Sequence, residues 1–384
     1  MIARIVIPLL LVIVLSDLYI DIHYFYHHYR LRWWKRLLWW MPCLVVVVYT
    51  CCLASIDNFI PDNQLWLDVY LFLVGLAFGP KVVFVVCSAV GWCVRKFVTH
   101  THRNWGHYIG LLLGAILTIA YLYGLTFGFS KVKVKRVDLS FSDLPASFDG
   151  FKIVHISDAH VGTFRGWRKR ILESEIDSVN SQHADLVVFT GDIENIQPHE
   201  VEQMLPLLKR LPPMVMVLGN HDYDRYVKVD SAKAKAMKVK LSRAVKQLGT
   251  LLCNQSLAIE HKEQGEKIFV AGEENFEKPY KANLSRTMRG VPDNAFCIFL
   301  QHEPEAWRAS ILPKTHAQLT LSGHTHGGQM QLFGFRPTKL IYNEDYGLYQ
   351  QDGRYLYVTA GLGGLMPFRL NMPNEVTVIT LHKK

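Results

Sequence analysis

No two cysteines in the 384 residues stand at C-x-x-C spacing, so neither a zinc ribbon nor a disulfide framework is indicated. Five of the seven (Cys43, Cys51, Cys52, Cys87, Cys93) fall in an apolar front part, where a thiol behaves as a small hydrophobe. Compartment therefore has to be read from topology. A concentrated basic stripe is missing too. The formal net charge of +9 divides into about +4 over residues 1–130 and about +5 over the remainder, and neither part has the concentrated stripe of a nucleic-acid binder, which argues against nucleic acid as a partner. The first apolar run lacks a small-x-small cleavage site and is followed by the bulky stretch DIHYFYHHYR. It is expected to stay attached as a helix rather than to be removed as a signal peptide.

What the front part does contain is four apolar runs, at about 2–20, 37–56, 65–94 and 108–128. Each reaches the ~20 residues that a helix needs to cross the hydrocarbon core. Pro80 and Lys81 fall near the middle of the third run, which is read as one kinked span because two halves would each be too short. A lysine at that depth has to snorkel or meet a partner. Loops 21–36 (Arg30, Arg32, Lys35, Arg36) and 95–107 (Arg95, Lys96, Arg103) are basic, whereas loop 57–64 has no Lys or Arg. The positive-inside rule then puts the basic loops in the cytoplasm and both termini outside, with Trp33, Trp34, Trp39 and Trp40 as interfacial belt residues. Lys131, Lys133, Lys135 and Arg136 lean mildly the other way. The expected location is a bacterial cytoplasmic membrane, multi-pass, with the lipid bilayer as partner and the following domain periplasmic.

Beyond residue 130 the pattern changes. FKIVHIS, DLVVFTG, MVMVLGN, AFCIFLQ and LTLSG are strand-length runs, nearly continuous in apolar residues as strands buried on both faces are. RGWRKRILESEIDSVNSQ and HEVEQMLPLLKR have helical periodicity, and a layered α/β domain follows. The lysine-rich stretch 228–246 reads as a solvated helix with Ala234, Met237, Leu241 and Val245 inward, a phosphate-binding role being the alternative. The division is 1–130 transmembrane, 131–149 linker and first strand, and 150–384 a second domain.

Each strand is followed by groups that can hold a metal. The first run leads into Asp158 and His160, the second into Asp192, the third into Asn220, His221 and Asp222, the fourth into His302, and the fifth into His324 and His326. Strand ends in a layered sheet are where ligand sites gather. Any one of these residues alone would more often be a hydrogen-bonded core His or a helix-capping Asp. Five such ends in order, each after an apolar run, point to one shared site. Phosphate esters resist hydrolysis because they are anionic; two divalent cations ~3.5–4 Å apart neutralise them and make hydroxide from water. Cations that close repel each other, so a carboxylate has to bridge them, and Asp192 is the candidate. A His, Asp and Asn set without thiolate suits Mn²⁺, Fe or Zn²⁺. If the strand stays extended through GHTH, His324 and His326 share one side while Thr325 points away. The neighbouring glycines let the backbone turn sharply and keep the approach bare.

These D-x-H, G-D, G-N-H-D, H and G-H-x-H blocks resemble the calcineurin-like metallophosphoesterase superfamily. The tail from Phe333 to Leu381 is similar to the branch of membrane-associated bacterial phosphoesterases like YkuE. The resemblance implies an α+β fold, a four-layer αββα sandwich, here preceded by a bundle of about four transmembrane helices. It further implies one metal on Asp158, His160, Asp192 and His326, and a second on Asp192, Asn220, His302 and His324. A metal-bridging hydroxide would attack phosphorus, with His221, oriented by Asp222, stabilising the transition state or protonating the leaving oxygen. Asn195 stands where many members have a second Asp. Arg369 and Gly361, Gly363 and Gly364 recur in the branch and could line the substrate mouth, although glycine at a strand end is more often turn chemistry.

The expected function is a membrane-anchored, dinuclear metal-dependent phosphoesterase acting on phosphodiester or pyrophosphate bonds, with a phosphorylated lipid or cell-envelope compound as substrate. Since some relatives cleave UDP-2,3-diacylglucosamine, a pyrophosphatase of lipid A synthesis is the alternative within the enzyme class. That substrate is cytoplasmic, against an outward-facing domain. A non-catalytic metal-binding sensor or scaffold would be marked by loss of His221 or a ligand, and none is lost. A transporter would need a polar path that Lys81 alone does not make.

Overall fold

The structure, a computed structural model, describes residues 2–58, 61, 63–99, 103–223, 226–261 and 265–384. Parts of the 57–64 and 95–107 loops thus lie outside the described residues. The chain divides into one unit of Met1–Leu125 with Tyr226–Lys228, and a second of Thr126–Arg225 with Val229–Lys384.

In the first unit, α1 (Val6–Ile20) runs into a π-helical stretch, Asp21–His28. It is followed by α2 (Trp33–Ala54), α3 (Leu65–Val94) and α4 (Gly106–Tyr123). All four are long and apolar enough to cross a membrane. The third run is a single helix with Pro80 inside it. Helices α3 and α4 lie close because Gly106, Gly110 and Gly114 recur every four residues; a Cβ on Gly106 would stand 2.1 Å from the Cys87 carbonyl oxygen, and one on Gly110 3.0 Å from Phe84 Cα. Small residues at this spacing allow membrane helices to pack backbone to backbone.

Lys81 meets the partner its depth requires. Its Nζ lies 2.8 Å from Oδ1 of the fully buried Asp17, 4.5 Å from the Trp39 ring and 4.4 Å from Phe78. Asp21 accepts both Arg36 Nε and a terminal nitrogen at 2.7 Å, and Trp40 Nε1 at 3.2 Å. Trp39 and Trp40 are therefore partly buried against charged partners, whereas Trp33 and Trp34 are exposed as belt residues are. Breaking one side of a buried pair strands the other charge, at about 3–5 kcal/mol. Asp17→Asn and Lys81→Met are each expected to lower the thermal midpoint of the detergent-purified chain, and the double variant to recover much of the loss. Additive losses would contradict the pairing.

The second unit holds two six-stranded sheets. In the first sheet, β1 (Val132–Phe141), β2 (Lys152–Ile156), β3 (Leu186–Thr190), β4 (Met214–Val217) and β5 (Gly249–Leu251) alternate with helices α5 (Lys169–Asn180), α6 (Pro198–Leu208) and α7 (Ser231–Val245). In the second are β6 (Gln255–Glu260), β7 (Lys267–Gly272), β8 (Cys297–Leu300), β9 (Leu319–Ser322), β10 (Gly347–Gln351) and β11 (Arg354–Val358). Two short helices, α8 (Leu284–Thr287) and α9 (Leu312–Lys314), flank it. The last strand, β12 (Asn374–Lys383), returns to the first sheet, giving the order β1-β12-β2-β3-β4-β5 beside β10-β11-β9-β8-β7-β6. It pairs over its whole length, in parallel, with β1.

Alternation along the strands makes the layers. Ile153, Val188 and Val217 face Ile298, Leu300, Leu319 and Leu321 between the sheets. Val154, Val187 and Met216 face Ile176, Val201 and Leu241 of the helices on one side, and Phe299 and Val358 face Trp307 and Ile311 on the other. The result is the expected four-layer αββα sandwich. The five anticipated strands are buried on both faces, hence their unbroken apolar runs. Helix α7 is the solvated helix expected, with Met237, Leu241 and Val245 buried and Asp230 capping the Lys233 N–H at 2.8 Å.

Candidate metal centre

Strands β2, β3 and β4 are parallel neighbours in one sheet, β8 and β9 in the other. The carboxyl ends of all five open into one rim. Three groups of side chains converge there, each with ligand atoms within 4.8 Å of one another: Asp158, His160 and His326; His160, Asp192 and His221; and Asp192, His302 and His324. Asp192 belongs to two of them. Its Oδ2 stands 3.2 Å from His302 Nε2 and 3.7 Å from His160 Nε2, between the two anticipated ligand sets. Asn220 completes the second set, its Oδ1 lying 3.1 Å from His302 Nε2 and 2.9 Å from His324 Nδ1.

The backbone is bent to present these groups. Asp158, His160, Asp192, His324 and His326 all have φ between 43° and 74°, the left-handed region that side-chain-bearing residues seldom occupy. Such conformations persist only where the surroundings over-determine them, and they cluster at functional sites. The extended GHTH tail anticipated from the sequence is not what forms: β9 ends at Ser322, and a turn sends His324 toward Asn220 and His302 and His326 toward Asp158 and His160. Thr325 does point away, donating to the Asp345 carbonyl. Glycine is needed next to the carboxylates: a Cβ on Gly219 would fall 2.2 Å from Asp192 Oδ1, and one on Gly323 2.1 Å from Asp158 Oδ2.

The donor set fits divalent metal. His160 is fully buried, yet neither ring nitrogen has a hydrogen-bond partner, and His326 Nδ1 has none either. A buried imidazole left this way is costly unless a Lewis acid takes its lone pair. Burial pushes the His160 pKa down to about 3, so it is the neutral ligand form at pH 7. Burial would lower His302 as well, but the adjacent Asp192 carboxylate raises it, to about 10. His302 Nδ1 donates to the Thr190 carbonyl at 2.7 Å, which fixes the ring and aims Nε2 at the centre. Burial likewise raises Asp158, to about 6. A metal taken up by His302 would therefore have to displace the proton it holds. Titrating Mn²⁺ into the chain at pH 7.5 in buffers of different ionisation enthalpy is expected to release about one proton, with affinity rising about tenfold per pH unit toward pH 10. Affinity indifferent to pH would contradict the His302 assignment.

Two expectations change. Asp222 does not orient His221; it is fully buried and accepts the backbone N–H groups of Asp192 (2.8 Å), Ile193 (3.0 Å), Glu194 (3.2 Å) and Gly219 (2.9 Å), tying the β3 and β4 loops together. The His221 ring is held instead by Nδ1 donating to the Asn195 carbonyl at 2.6 Å. Asn195 thus acts through its backbone, and Glu200 secures it by accepting the Asn195 N–H at 2.6 Å. Arg369, anticipated at the substrate mouth, is fully buried. Its guanidinium donates to the carbonyls of His326, Ala360, Gly361 and Gly363, behind the ligands rather than in front of them. Gly361 packs there against Asp158, where a Cβ would lie 2.6 Å from that residue's own. Tyr342, not singled out by any sequence signal, places its hydroxyl 3.4 Å from His324 Nε2.

Comparison with known proteins agrees with this geometry. Residues 3–129 match the family described as probable calcineurin-like phosphoesterase, transmembrane domain, and residues 151–328 match calcineurin-like phosphoesterase. YkuE of Bacillus subtilis, an uncharacterized metallophosphoesterase, is 32% identical over 70% of this chain and 94% of its own length. A zebrafish (Danio rerio) transmembrane protein with metallophosphoesterase domain is 27% identical over 71% of this chain and 62% of its own. LpxG of Chlamydia muridarum, a UDP-2,3-diacylglucosamine pyrophosphatase, is 26% identical over 65% of this chain and 88% of its own. With its ligand-bearing strand ends gathered on one rim and four apolar helices ahead of them, the chain belongs to the calcineurin-like metallophosphoesterases, metal-dependent phosphoric ester hydrolases, in a form that carries a transmembrane domain.

Proposed function

We propose that the chain hydrolyses a phosphodiester or pyrophosphate bond in a lipid-like or cell-envelope substrate, using two divalent cations of the Mn, Fe or Zn type. The observation that carries this reading is Asp192, whose Oδ2 lies between the two ligand sets. In the proposed assignment Asp158, His160 and His326 would hold one ion, Asn220, His302 and His324 the other, and Asp192 would contribute to both. Bound there, the ions supply charge neutralisation at phosphorus and lower the pKa of water. His221 does the proton work. A carbonyl can only accept, so the Asn195 contact fixes the proton on Nδ1 and leaves Nε2 to carry one to the leaving oxygen. Asp222 and Arg369 are positioning residues, acting through the loops they hold.

Support for a lipid-like substrate comes from the segment that follows His326. A tight hairpin pairs Leu332 with Phe335 and leaves Phe333 fully exposed, and Leu340 and Ile341 are 79% and 78% exposed nearby. Large apolar side chains left this exposed within a short segment of chain are candidates for an interaction surface. For the orientation, Arg30, Arg32, Lys35, Arg95, Lys96 and Arg103 support a cytoplasmic side for their loops, and so a periplasmic hydrolase on a bacterial cytoplasmic membrane. The likeness to LpxG favours the second reading, a nucleotide-linked glycolipid pyrophosphatase, which requires the opposite orientation.

One experiment separates them. The full chain in detergent is assayed with bis(p-nitrophenyl) phosphate, phosphatidylglycerol and UDP-2,3-diacylglucosamine, with Mn²⁺ and with chelator. Chelator-sensitive turnover of the diesters supports the first reading, and of the nucleotide lipid the second. No turnover of any of them by metal-loaded protein would count against both.

A further inference from the structure

The transmembrane unit contains a built cavity that the hydrolase reading does not use. It has a volume of about 960 Å³ and is lined by His23, His27, His28, His107, Arg95 and Arg103, together with tyrosines and Asn104. Among the described residues no carboxylate lines it. Its walls are fixed by hydrogen bonds: the Tyr24 hydroxyl lies 2.7 Å from Ser88 Oγ and 2.6 Å from His107 Nδ1, and the Tyr19 hydroxyl 2.9 Å from Ser88 Oγ. Asn104 Nδ2 donates to the Ser88 carbonyl at 3.0 Å. Such a network is a preformed polar chamber, in a part of the molecule whose outer surface is apolar.

A second cavity of about 340 Å³ shares Ile20, Phe84 and Leu111 with the first as a common wall. It is otherwise lined mainly by Pro80, Gly110, Gly114 and Ala115, with Lys81 and Thr118. Along α4 the lining passes from His107 in the polar chamber to Thr118 in the apolar one, a rise of ~16 Å at ~1.5 Å per residue. That distance is of the order of a lipid headgroup with the first half of an acyl chain. The ion pair between Lys81 and Asp17 neutralises the charge beside the apolar end.

We infer that these two adjoining cavities are a binding site for one anionic phospholipid, its phosphate in the Arg95, Arg103 and histidine chamber and an acyl chain passing Ile20, Phe84 and Leu111 to lie along Gly110, Gly114 and Ala115. Charge selects the occupant: a chamber lined by two guanidinium groups, with four imidazoles as further hydrogen-bonding groups and no carboxylate among the described residues, favours a net anionic headgroup over a zwitterionic one. The apolar extension selects an amphiphile over a free phosphate. The site is independent of the metal centre and stands whether or not the substrate proposal does.

The test is native mass spectrometry of the full chain released from detergent containing equal dioleoylphosphatidylglycerol and dioleoylphosphatidylcholine, with a parallel titration of glycerol 3-phosphate. The expected result is one retained phosphatidylglycerol, favoured over phosphatidylcholine roughly tenfold. Arg95→Gln with Arg103→Gln should bring that preference close to unity. Ala115→Trp, at an exposed position of α4, should reduce retention of both lipids severalfold while leaving the double-arginine contrast intact. Hydrolysis of bis(p-nitrophenyl) phosphate should be unchanged in both variants, which shows that they are folded. Equal retention of the two lipids, a preference that survives the arginine changes, or glycerol 3-phosphate binding as tightly as the lipid would each overturn the inference.

Discussion

Asp192→Asn is expected to lower turnover of any phosphodiester by roughly 10³-fold or more. The substitution is isosteric. The Asn carbonyl can still accept the His221 N–H that Asp192 Oδ1 accepts at 2.8 Å, so the loop should keep its path. What disappears is the anionic oxygen between His160 and His302, the only carboxylate shared by two of the three ligand groups among the described residues. Burial would by itself raise the Asp192 pKa, but the imidazoles of His302 and His221 hold it well below the usual carboxylate range. The charge is therefore present at every working pH. Measured by hydrolysis at saturating Mn²⁺, activity within tenfold of the parent would mean that Asp192 does not bridge.

His221→Ala tests proton transfer rather than metal binding. General acid catalysis is worth roughly 10²–10⁴-fold, and its size depends on how poor the leaving group is. The expected result is a large loss of kcat with alkyl phosphodiesters and a small one with p-nitrophenyl esters, whose phenolate leaves without help. Metal content should be unchanged. His221 also lies within ligand distance of His160 and Asp192, and the rings of His160 and His221 stand 4.8 Å apart. Loss of a metal ion on substitution would therefore reassign His221 as a ligand and remove it from the proton step.

The candidate ligands are legible in the sequence because each follows a strand whose apolar run is unbroken, and such runs are readable when both faces of a sheet are covered. The two-residue spacing of His324 and His326 misleads for a physical reason: the strand ends at Ser322, and left-handed turns at the histidines, not a shared strand face, set their directions. Adjacent residues also suggest partners that geometry does not join. Asp222 stands next to His221 in the chain, yet its oxygens are occupied by backbone N–H groups, and the ring finds the carbonyl of Asn195 across the rim. Arg369 carries the sign of a phosphate-binding residue, but its guanidinium is taken up by the carbonyls of Ala360 and Gly361.

In the membrane unit, Asp17 and Lys81 are 64 residues apart, and nothing in either run announces that they meet. The glycines of α4 at four-residue spacing carry the one local signal of close helix packing, and it is visible only once the partner helix is known. Strands β10 to β12 are harder to read than the first five, because β10 is an edge with alternating exposure and β12 crosses from the second sheet back to the first.

The most direct measurement is electron paramagnetic resonance of the full chain loaded with Mn²⁺, taken together with its metal content. Two ions held by a shared carboxylate ~3.5–4 Å apart are exchange-coupled. The expected result is about two Mn per chain with a coupled multiline spectrum, replaced in Asp192→Asn by the spectrum of isolated ions or by loss of metal. A single ion per chain, or two with uncoupled spectra in the unaltered protein, would contradict a dinuclear centre bridged by Asp192.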